Sequence, residues 1–597
     1  MRNAETILGI MRERGRRGLP LEDVYRQLFN RELYLRAYGR IYRNEGAMTP
    51  GATAETVDGM SLAKIDTIID ALRHERYRWT PVRRTYIEKK HSTKKRALGL
   101  PTWSDKLLQE VVRSILEAYY EQQFSRSSHG FRPGRGCHTA LREIYHQWSG
   151  TAWFIEGDIA HCFDSLDRTV LLSILREKLH DNRFLRLIEN LLKAGYLEDW
   201  TFHATLSGTP QGGIASPILS NIYLDRLDKF VETVLLPAYN REAKRKSNRS
   251  YEQLRRQAKK LVKAGHYREA RLLRRQMRQL PSYDPDDPAY RRLRYLRYAD
   301  DFLLGFSGPR SEAEEIKQQL KEFLRDDLNL ELSESKTLIT HARTEAARFL
   351  GYEITVTQDN QKRDQNGRRN LNGIIGLRVP MDVLRAKCAP YLRHGKPALI
   401  GGRVNDTEFS IIATYQQEYR GLVEYYRLAH NIRTLDRLKW VMEMSLAHTL
   451  SAKLQISVPR VFARLRTIIQ TDRGPKKVLQ VKVDRGRDKA PLVAQWGGIS
   501  LARRMDAILN DHPPRVWNGQ TELLERLLAD TCELCGSQED VEVHHVRHLK
   551  DLQRKGRAEK PTWVQAMAAR QRKTLVVCRK CHWDIHAGRP TRHKVAP

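Results

Sequence analysis

The spacing of apolar and polar positions divides the chain into segments of different type. Residues 1–80 follow a helical period that is interrupted by the turn-rich stretch from Asn44 to Gly59. From about residue 81 to 360, short apolar runs alternate with helical stretches and Gly/Pro turns, which is typical of mixed α and β structure. From about 380 to 470 the period is helical again, with little strand signal. The pattern predicts an α+β protein with several domains.

One helix shows both a start signal and a buried face. Ser311 followed by Glu314 has the spacing of a capping box, which predicts a helix that begins just after Ser311. Its apolar positions recur at helical spacing and predict one buried face, formed by Ile316, Leu320, Phe323 and Leu324.

The net charge of the chain indicates which class of partner it binds. The 597 residues include 105 Lys and Arg against 71 Asp and Glu, a formal charge of +34. This excess favours a polyanion, and nucleic acid is favoured over membrane because no amphipathic anchor, lipidation signal or spanning apolar run accompanies the charge. The hydrophobic fraction of 40% is enough for packed cores, which argues against a basic disordered chain.

The positive charge is densest in an insertion at about residues 235–290. Residues 240–280 contain fifteen Lys and Arg and three acidic residues. Four leucines predict helices beneath this charge: Leu254, Leu261, Leu272 and Leu273. A solvated helical insertion and a surface that contacts nucleic-acid phosphates both fit the pattern, and the second is favoured by the charge of the whole chain.

Two adjacent carboxylates, Asp300 and Asp301, interrupt the apolar and aromatic run "RYLRYADDFLLGF". Burying them is costly unless a cation compensates. A turn between two strands could project both side chains toward a pair of Mg²⁺ ions of the kind that catalyse phosphoryl transfer. Two ions need a further carboxylate, and Asp158 is favoured over Asp164 and Asp167 because it ends an apolar run. An ordinary helix-capping role for Asp158 remains open.

These segments resemble the ordered motifs of reverse transcriptases, and more closely the multidomain proteins encoded by bacterial group II introns. The resemblance extends over roughly 330 residues, and its motifs occur in the family's order. The matching segments are "NEGAMTPGATAETVDG", "YIEKKHSTKKRALGLPTWSDKLLQ", "SSHGFRPGRGCHTAL", "FIEGDIAHCFDSLD", "GTPQGGIASPILSNIYLDRLD", "YADD", "LSESKTLITHA" and "RFLGYEI".

The resemblance implies a right-hand polymerase followed by a helical thumb and maturase domain and a small zinc-containing ββα-metal HNH domain. The implied boundaries are an N-terminal extension at 1–80, fingers and palm at 81–360, thumb and maturase at 361–475, a basic DNA-binding connector at 476–525, and the HNH endonuclease at 526–597. It implies that Asp158, Asp300 and Asp301, with the backbone carbonyl of Ile159, bind the catalytic Mg²⁺ ions.

The same resemblance assigns four residues to the incoming deoxynucleoside triphosphate. Lys89 and Arg96 would hold the triphosphate, and Gln211 would lie near the nucleotide. Phe163 would stand under the sugar and exclude a 2′-hydroxyl. Surface charge remains an alternative for Lys89 and Arg96, and a core position remains one for Phe163.

The helical segment after the palm interleaves aromatic residues with cations. Tyr415, Tyr419, Tyr425 and Tyr426 alternate with basic residues in and after "ATYQQEYRGLVEYYRLAHN". A helical bundle with a basic face explains this pattern equally well from physics alone. "SLAHTLSAK" at Ser445–Lys453 resembles the maturase region, which implies binding to structured intron RNA.

The C-terminal segment carries two CxxC pairs, and four thiolates at this spacing form a tetrahedral structural Zn²⁺ site. The ligands would be Cys532, Cys535, Cys578 and Cys581. Cysteines used in this way suit a reducing cytosol, so a cytoplasmic, nucleoid-associated protein is expected.

Histidines flank these cysteines. His544 and His545 are neighbours on a predicted strand and should point to opposite faces, whereas His582 and His586 share one face of a predicted helix. The resemblance implies that His545 is the general base of the endonuclease and that His544, His582 and His586 hold its metal, which is expected to be Mg²⁺. Thr574 stands where the family usually has Asn, so both a working nickase and a module that only grips DNA remain open.

Together these expectations describe an RNA-directed DNA polymerase, a splicing maturase and an HNH endonuclease in one chain. Its partners would be group II intron RNA, target DNA and deoxynucleoside triphosphates, without a membrane. The alternatives are a reverse transcriptase of another lineage, such as a retron or diversity-generating enzyme, and a non-catalytic RNA-splicing factor.

Overall fold

The fold is α+β, and its strands form several separate antiparallel or mixed sheets. The computed structural model describes residues 3–88, 95–160, 162–198, 201–203, 212–284, 287–358, 373–471, 474–484, 491–509, 522–546, 561–569 and 573–589. Within these ranges, no helix combines the length and the apolar character that crossing a membrane requires.

The N-terminal region is mainly helical. It contains α1 (Ala4–Arg16), α2 (Val24–Gln27), α3 (Arg31–Ile41), β1 (Met60–Ser61) and α4 (Leu62–Arg73). Asn3, Asn30 and Ser61 cap α1, α3 and α4, because their side-chain oxygens accept hydrogen bonds from the first backbone N–H groups. The apolar faces of α1, α3 and α4 pack on the long helix that follows in the next region.

The central region alternates helices and strands. Its first half contains β2 (Val82–Glu88), β3 (Lys95–Leu100), α5 (Trp103–Tyr120), β4 (Ser128–His129), α6 (Cys137–Gln147), β5 (Trp153–Asp158), α7 (Cys162–Ser165), α8 (Arg168–Arg176), α9 (Asn182–Lys193), β6 (Tyr196–Glu198), β7 (Thr201–His203), α10 (Ser216–Phe230) and α11 (Leu236–Tyr239). Its second half contains α12 (Arg249–Lys263), α13 (Tyr267–Met277), β8 (Arg292–Tyr298), β9 (Asp301–Ser307), α14 (Arg310–Asp326), β10 (Leu338–His341), β11 (Ala347–Phe349), β12 (Tyr352–Thr357) and β13 (Ile374–Arg378).

The core of this region is a sheet with the strand order β10-β5-β9-β8-β4, called the central sheet below. Phe302, Leu303 and Leu304 on β9 are buried, as their apolar run predicts. A second sheet, with the order β3-β2-β6-β7, lies beside it.

The basic insertion forms a helical hairpin from α12 and α13, which confirms the predicted helices. The hairpin is almost entirely solvated: Ala258 and Ala270 are the buried residues of the two helices, and Leu272 is 62% exposed. The expectation of leucines beneath the charge holds in part, because Leu254, Leu261 and Leu273 are half-buried and Leu272 is exposed.

The start of α14 differs from the predicted capping box. The helix begins at Arg310 after Pro309, and no side chain caps it. Glu314 pairs instead with the Arg310 guanidinium, 3.0 Å away. The predicted apolar face is confirmed, since Ile316, Leu320 and Leu324 are buried and Phe323 is partly buried.

The region after residue 380 combines helices with a small sheet. It contains α15 (Met381–Cys388), β14 (Leu392–Arg393), β15 (Lys396–Pro397), α16 (Glu408–Tyr425), α17 (Leu435–Leu454), α18 (Val458–Leu465), β16 (Arg466–Thr471), β17 (Gly474–Val483) and β18 (Leu492–Trp496). The sheet β16-β17-β18 packs on α16, and buried Trp496 contacts the rings of Tyr415 and Tyr419. Strand β17 crosses the boundary expected at residue 475, so part of the expected connector belongs to this folded unit.

The C-terminal module contains α19 (Glu522–Leu528), β19 (Val541–His545), α20 (Thr562–Ala569), β20 (Thr574–Cys578) and α21 (Arg579–His586). Strands β19 and β20 and helix α21 form a ββα unit. The sheet has a third strand, because β1 of the N-terminal region pairs with β19 through Met60 opposite Val543 and Ser61 opposite Glu542. This pairing connects the N-terminal region to the C-terminal module and was not expected from the sequence.

Candidate functional site

Three carboxylates meet at one end of the central sheet and form the carboxylate cluster: Asp158, Asp300 and Asp301. Asp158 ends β5 and lies directly opposite Asp301, the first residue of the antiparallel neighbour β9. Asp300 lies in the turn that joins β8 to β9. The strand–turn–strand geometry predicted for the paired aspartates is therefore present, and Asp158 is brought to them.

The turn that carries Asp300 is held in an unusual conformation. Ala299 has a positive φ of 55°, which costs a non-glycine residue about 1 kcal/mol or more. Its N–H donates to the His129 carbonyl at 2.9 Å, and its carbonyl accepts from Arg297 Nη1 at 2.8 Å. These contacts fix the direction in which the turn presents its carboxylates.

A buried ion pair supports the turn from below. Arg297 and Asp228 are both fully buried and pair at 2.6 Å, and Tyr295 also donates to Asp228 at 2.7 Å. Asn221 and Ser128 accept further guanidinium N–H groups. Such a satisfied network gives a single geometry, whereas removing one partner leaves a buried charge.

The electrostatics of the carboxylate cluster indicate a need for cations. Burial, followed by the charges of Asp300 and Asp158, raises the pKa of Asp301 to about 7. Burial and the nearby Asp300 charge also raise the pKa of the Cys162 thiol to about 12. Lys336 Nζ lies 2.7 Å from Asp158 Oδ2 and is the cation that the structure places against the cluster. Closely spaced oxygen ligands with an excess of negative charge suit Mg²⁺.

The residues expected to bind the nucleotide are placed only in part. Phe163 lies on α7, half-buried, with its ring 6.4 Å from the ring of Phe131. Ile159 is buried just beyond Asp158. The backbone of Arg96 lies on β3, opposite Ile87, but its side chain falls outside the described residues, as do Lys89 and Gln211 entirely.

The four cysteines of the two CxxC pairs converge in the C-terminal module. The sulfur atoms of Cys532, Cys535, Cys578 and Cys581 all lie within 4.8 Å of one another, and the Cys535 and Cys578 sulfurs are 3.7 Å apart. Zinc–sulfur bonds of about 2.3 Å in a tetrahedron place the sulfurs about 3.8 Å apart. The cluster therefore has the dimensions of a structural zinc site, and the four residues could hold that ion.

Three histidines form a second polar centre, called the histidine cluster below: His544 on β19, and His582 and His586 on α21. The Nε2 atoms of His582 and His586 are 3.1 Å apart. In the part of the chain that the structure describes, the buried ring nitrogens of His544 have no hydrogen-bond partner. Three converging imidazoles, one of them buried without a hydrogen-bond partner, are an arrangement that a metal ion satisfies.

Glu542 orients one ligand of this cluster. The His582 Nδ1–H donates to the Glu542 carboxylate at 2.7 Å, which orients the ring so that Nε2 faces the other histidines. Burial alone would lower the pKa of His582, but Asp58 and Glu542 outweigh burial and raise it to about 9.

Asp58, from the N-terminal region, completes the centre. Its carboxylate lies 2.8 Å from His586 Nε2, 3.2 Å from His582 Nε2 and 3.4 Å from His544 Nδ1. Burial alone would raise the pKa of Asp58, but its contacts with His544 and His582 outweigh burial and lower it. Asp58 and the histidine cluster together form a group of four possible metal ligands within 4.8 Å of one another.

His545 is not brought together with the histidine cluster. As neighbours on a strand, His544 and His545 project to opposite faces, and His545 packs between Tyr38 and Tyr42 of α3. Its Nε2 forms a 2.9 Å hydrogen bond with the Tyr38 hydroxyl, and burial lowers its pKa to about 3. In this arrangement His545 is neutral but shielded from substrate. Thr574 lies opposite it on β20.

Sequence reasoning missed Asp58, Glu542 and Tyr38. The spacing of Glu542 two residues before His544 carries a signal, since strand residues i and i+2 share a face. The sequence around Asp58 and Tyr38 contains no such signal, because these residues reach the C-terminal module only through the tertiary pairing of β1 with β19.

Comparisons with protein families match three regions of the chain. The family described as "Reverse transcriptase (RNA-dependent DNA polymerase)" matches residues 87–354. "Type II intron maturase" matches residues 378–484, and "AI2M/AI1M-like, HNH endonuclease" matches residues 532–582. The first match contains the carboxylate cluster, and the last contains most of the cysteine and histidine centres.

Similar proteins cover nearly the whole chain. It is 37% identical to the group II intron-encoded protein LtrA of Lactococcus lactis subsp. cremoris over 94% of this chain and 95% of that protein. It is 34% identical to the "Uncharacterized 91 kDa protein in cob intron" of Schizosaccharomyces pombe over 94% of this chain and 69% of that protein. The chain therefore belongs to the group II intron-encoded proteins, with reverse transcriptase, maturase and HNH endonuclease regions and the corresponding activities.

Proposed function

We propose that this protein copies group II intron RNA into DNA from a primer that its own endonuclease creates. The carboxylate cluster would be the polymerase centre of a palm, with the sheet β3-β2-β6-β7 as fingers and the helices after residue 380 as thumb. The observation that carries this proposal is the meeting of Asp158, Asp300 and Asp301, which come from separate strands and a turn, at one sheet end.

The cluster residues would hold two Mg²⁺ ions, which supply charge stabilisation for the attacking 3′-hydroxyl and the leaving pyrophosphate. The proposed contribution of the chain itself is positional. The Arg297 network fixes the Ala299 turn, and the turn directs Asp300 toward the strand end where Asp158 and Asp301 already face each other. Lys89 and Arg96 would contact the triphosphate and Gln211 would lie near the nucleotide, with Phe163 below the sugar.

Primer extension on poly(rA)/oligo(dT) tests the polymerase. Wild-type protein should extend the primer only with Mg²⁺ and deoxynucleotides, and Asp300→Ala should not extend it. An Asp300→Ala variant that extends at the wild-type rate would exclude this centre. Intron RNA binding by the same variant should stay within twofold of wild type, which separates loss of chemistry from loss of folding.

The intron RNA would bind across the α12–α13 hairpin and the maturase helices. The hairpin segment has an excess of twelve positive charges, and its helices are solvated. Binding through many phosphates gives a steep salt dependence, on the order of 0.7 to 0.9 in log K per log salt for each phosphate contacted. Replacing Lys259, Lys260 and Lys263 by Gln should reduce that slope, whereas the control Arg16→Gln/Arg17→Gln in α1 should leave it unchanged.

The C-terminal module would nick the target DNA to produce the primer. The histidine cluster would hold its metal, and His545 would act as general base once it is freed from Tyr38. His545→Ala should lower strand cleavage without changing DNA binding, and cleavage at the full rate would remove His545 from that role. Sequencing the RNA that co-purifies with the protein would identify its intron.

A further inference from the structure

The N-terminal region supplies an acidic side chain to the endonuclease centre. We propose that Asp58 is a fourth ligand of the endonuclease metal and that, by binding there, the N-terminal region closes the centre against DNA. This inference rests on the proposal that the histidine cluster holds the endonuclease metal. Asp58 lies outside the matched nuclease segment, residues 532–582, and reaches the cluster from the N-terminal region of the chain.

The position of Asp58 is built by the backbone as well as by the side chain. The Gly59 N–H donates to the Val543 carbonyl at 3.0 Å, and the following residues pair with β19. Asp58 Oδ1 accepts the His545 backbone N–H at 2.7 Å, while Thr56 Oγ1 accepts the Asp58 N–H at 3.3 Å. The carboxylate is therefore held at the cluster by strand pairing and not by a freely rotating surface side chain.

Gly59 allows the backbone to turn here. It adopts a φ of +75°, a conformation that favours glycine, although a Cβ placed there would make only ordinary contacts of 3.7 Å with Glu542 Oε2 and His582 Cε1. The chain thus turns sharply between the ligand Asp58 and the paired strand β1.

The number of ligands separates an open centre from a closed one. Three imidazoles and one carboxylate suit a transition ion such as Zn²⁺ better than the Mg²⁺ expected from the sequence. Catalytic zinc sites keep three protein ligands and leave one position for water or substrate, whereas four protein ligands make a closed site. The histidine cluster provides three nitrogens, and Asp58 lies within 3.4 Å of each of its residues. With Asp58 bound, the position needed by a water or a scissile phosphate is taken by this chain.

The N-terminal region also shields His545, the proposed general base. Tyr38 of α3 holds His545 Nε2, and His545 is buried. The N-terminal region therefore blocks both faces of β19 at once. Opening requires β1 to separate from β19 and α3 to leave His545, and α3 also packs on α19. Undocking of the N-terminal region as a whole would expose metal and base together.

Cobalt titration of the full-length protein tests the ligand. With zinc retained in the cysteine site, Co²⁺ added to wild type should give the intense visible bands of a four-coordinate centre. Asp58→Asn, which keeps the oxygen that accepts the His545 N–H, should bind Co²⁺ at least tenfold more weakly and with weaker bands. Asp58→His should restore both. The exposed control Asp70→Asn should match wild type.

His582→Ala separates the two proposals. If His582→Ala loses the cobalt bands and Asp58→Asn keeps the wild-type affinity and spectrum, Asp58 is not a ligand and the inference is overturned. If both variants titrate like wild type, the proposed metal centre fails as well. Unchanged thermal unfolding of Asp58→Asn, or recovery by Asp58→His, shows that a loss is not a folding defect.

Nicking of supercoiled DNA tests the closure. At saturating metal, Asp58→Asn should nick several-fold faster than wild type, because the substitution opens one position of the metal and also weakens the docking of the N-terminal region that buries His545. A slower rate than wild type at saturating metal would mean that Asp58 serves the reaction instead of blocking it, and that result would overturn the closure.

Discussion

Asp158 and Asp301 lie directly opposite each other on adjacent antiparallel strands, with Asp300 one residue away in the turn. Each of the three carboxylates is thereby fixed by backbone pairing or by the turn next to it. Their separate positions suggest that they will not tolerate substitution equally.

Asp300→Asn should reduce DNA synthesis by at least a thousandfold, because it removes the charge of the carboxylate that would face both metals in the proposed polymerase centre. Asp301→Asn should reduce it less, because in that proposal Asp300 is the ligand shared by the two metals and Asp301 lies beside it. Single-turnover primer extension measures both rates. The exposed Asp164→Asn on α7 is the matched control, and an Asp301 variant slower than the Asp300 variant would contradict the ranking.

Phe163→Val should admit ribonucleotides. A half-buried ring on α7, braced by Phe131, can exclude a 2′-hydroxyl, and the smaller side chain removes the obstruction. The ratio of kcat/KM for deoxynucleotide over ribonucleotide should fall by ten- to a hundredfold. Insertion of the deoxynucleotide should change little and serves as the internal control. An unchanged ratio with normal deoxynucleotide insertion would assign Phe163 to the core.

Asp225 should make folding stability depend on pH. Burial and the neighbouring Asp228 raise its pKa to about 6, above the value of the unfolded chain. The folded protein thus binds the proton more tightly, and its stability falls as pH rises through 6. Asp225→Asn should remove this loss and raise the free energy of unfolding at pH 8 by on the order of 2 kcal/mol, with little change at pH 4.

Urea unfolding at pH 4 and pH 8 measures that difference. The conservative control is Asp164→Asn, an exposed carboxylate whose replacement should leave both midpoints unchanged. A midpoint of Asp225→Asn that stays at the wild-type value at pH 8 would show that Asp225 is not destabilising when ionised.

Cys578→Ser should cost one bound zinc per chain and unfold the C-terminal module, because an ion in the cysteine cluster would join the start of α21 to the loop before β19. Nicking should be lost while primer extension is kept, since the carboxylate cluster lies in a separate sheet. Atomic absorption and the two assays check this. Cys137→Ser, outside the zinc cluster, should retain its zinc and both activities.

The two centres differ in how far the sequence could predict them. Asp158 was found because it ends an apolar run, and the CxxC pairs because their spacing is itself the geometry of the ligands. The capping box at Ser311 was wrong because an Arg310–Glu314 pair competes for the same glutamate. The strands of the sheet at Trp496 were missed because β16 contains no buried residue and β17 has only two, Val478 and Leu479, which are adjacent and therefore give no alternating pattern.

Asp58 lay beyond such reasoning for a different reason. In "AETVDGMSL" Asp58 has the pattern of an ordinary turn residue. The strand β1 that follows it has only two residues, which is too short for a periodic pattern in the sequence. The contact depends on tertiary pairing alone.

The pairing of β1 with β19 also sets an order of events during synthesis. Tyr38 and His545 are 507 positions apart, so at roughly 5–20 residues per second a ribosome needs about 25–100 seconds between them. The N-terminal helices and the central sheet can fold in that interval. The face of α3 that later contacts His545 is still exposed to solvent at that stage. A nascent chain would therefore be able to bind RNA before its C-terminal module has been synthesised. The module would then dock on the N-terminal region as it folds, so its nuclease centre would be closed from the start.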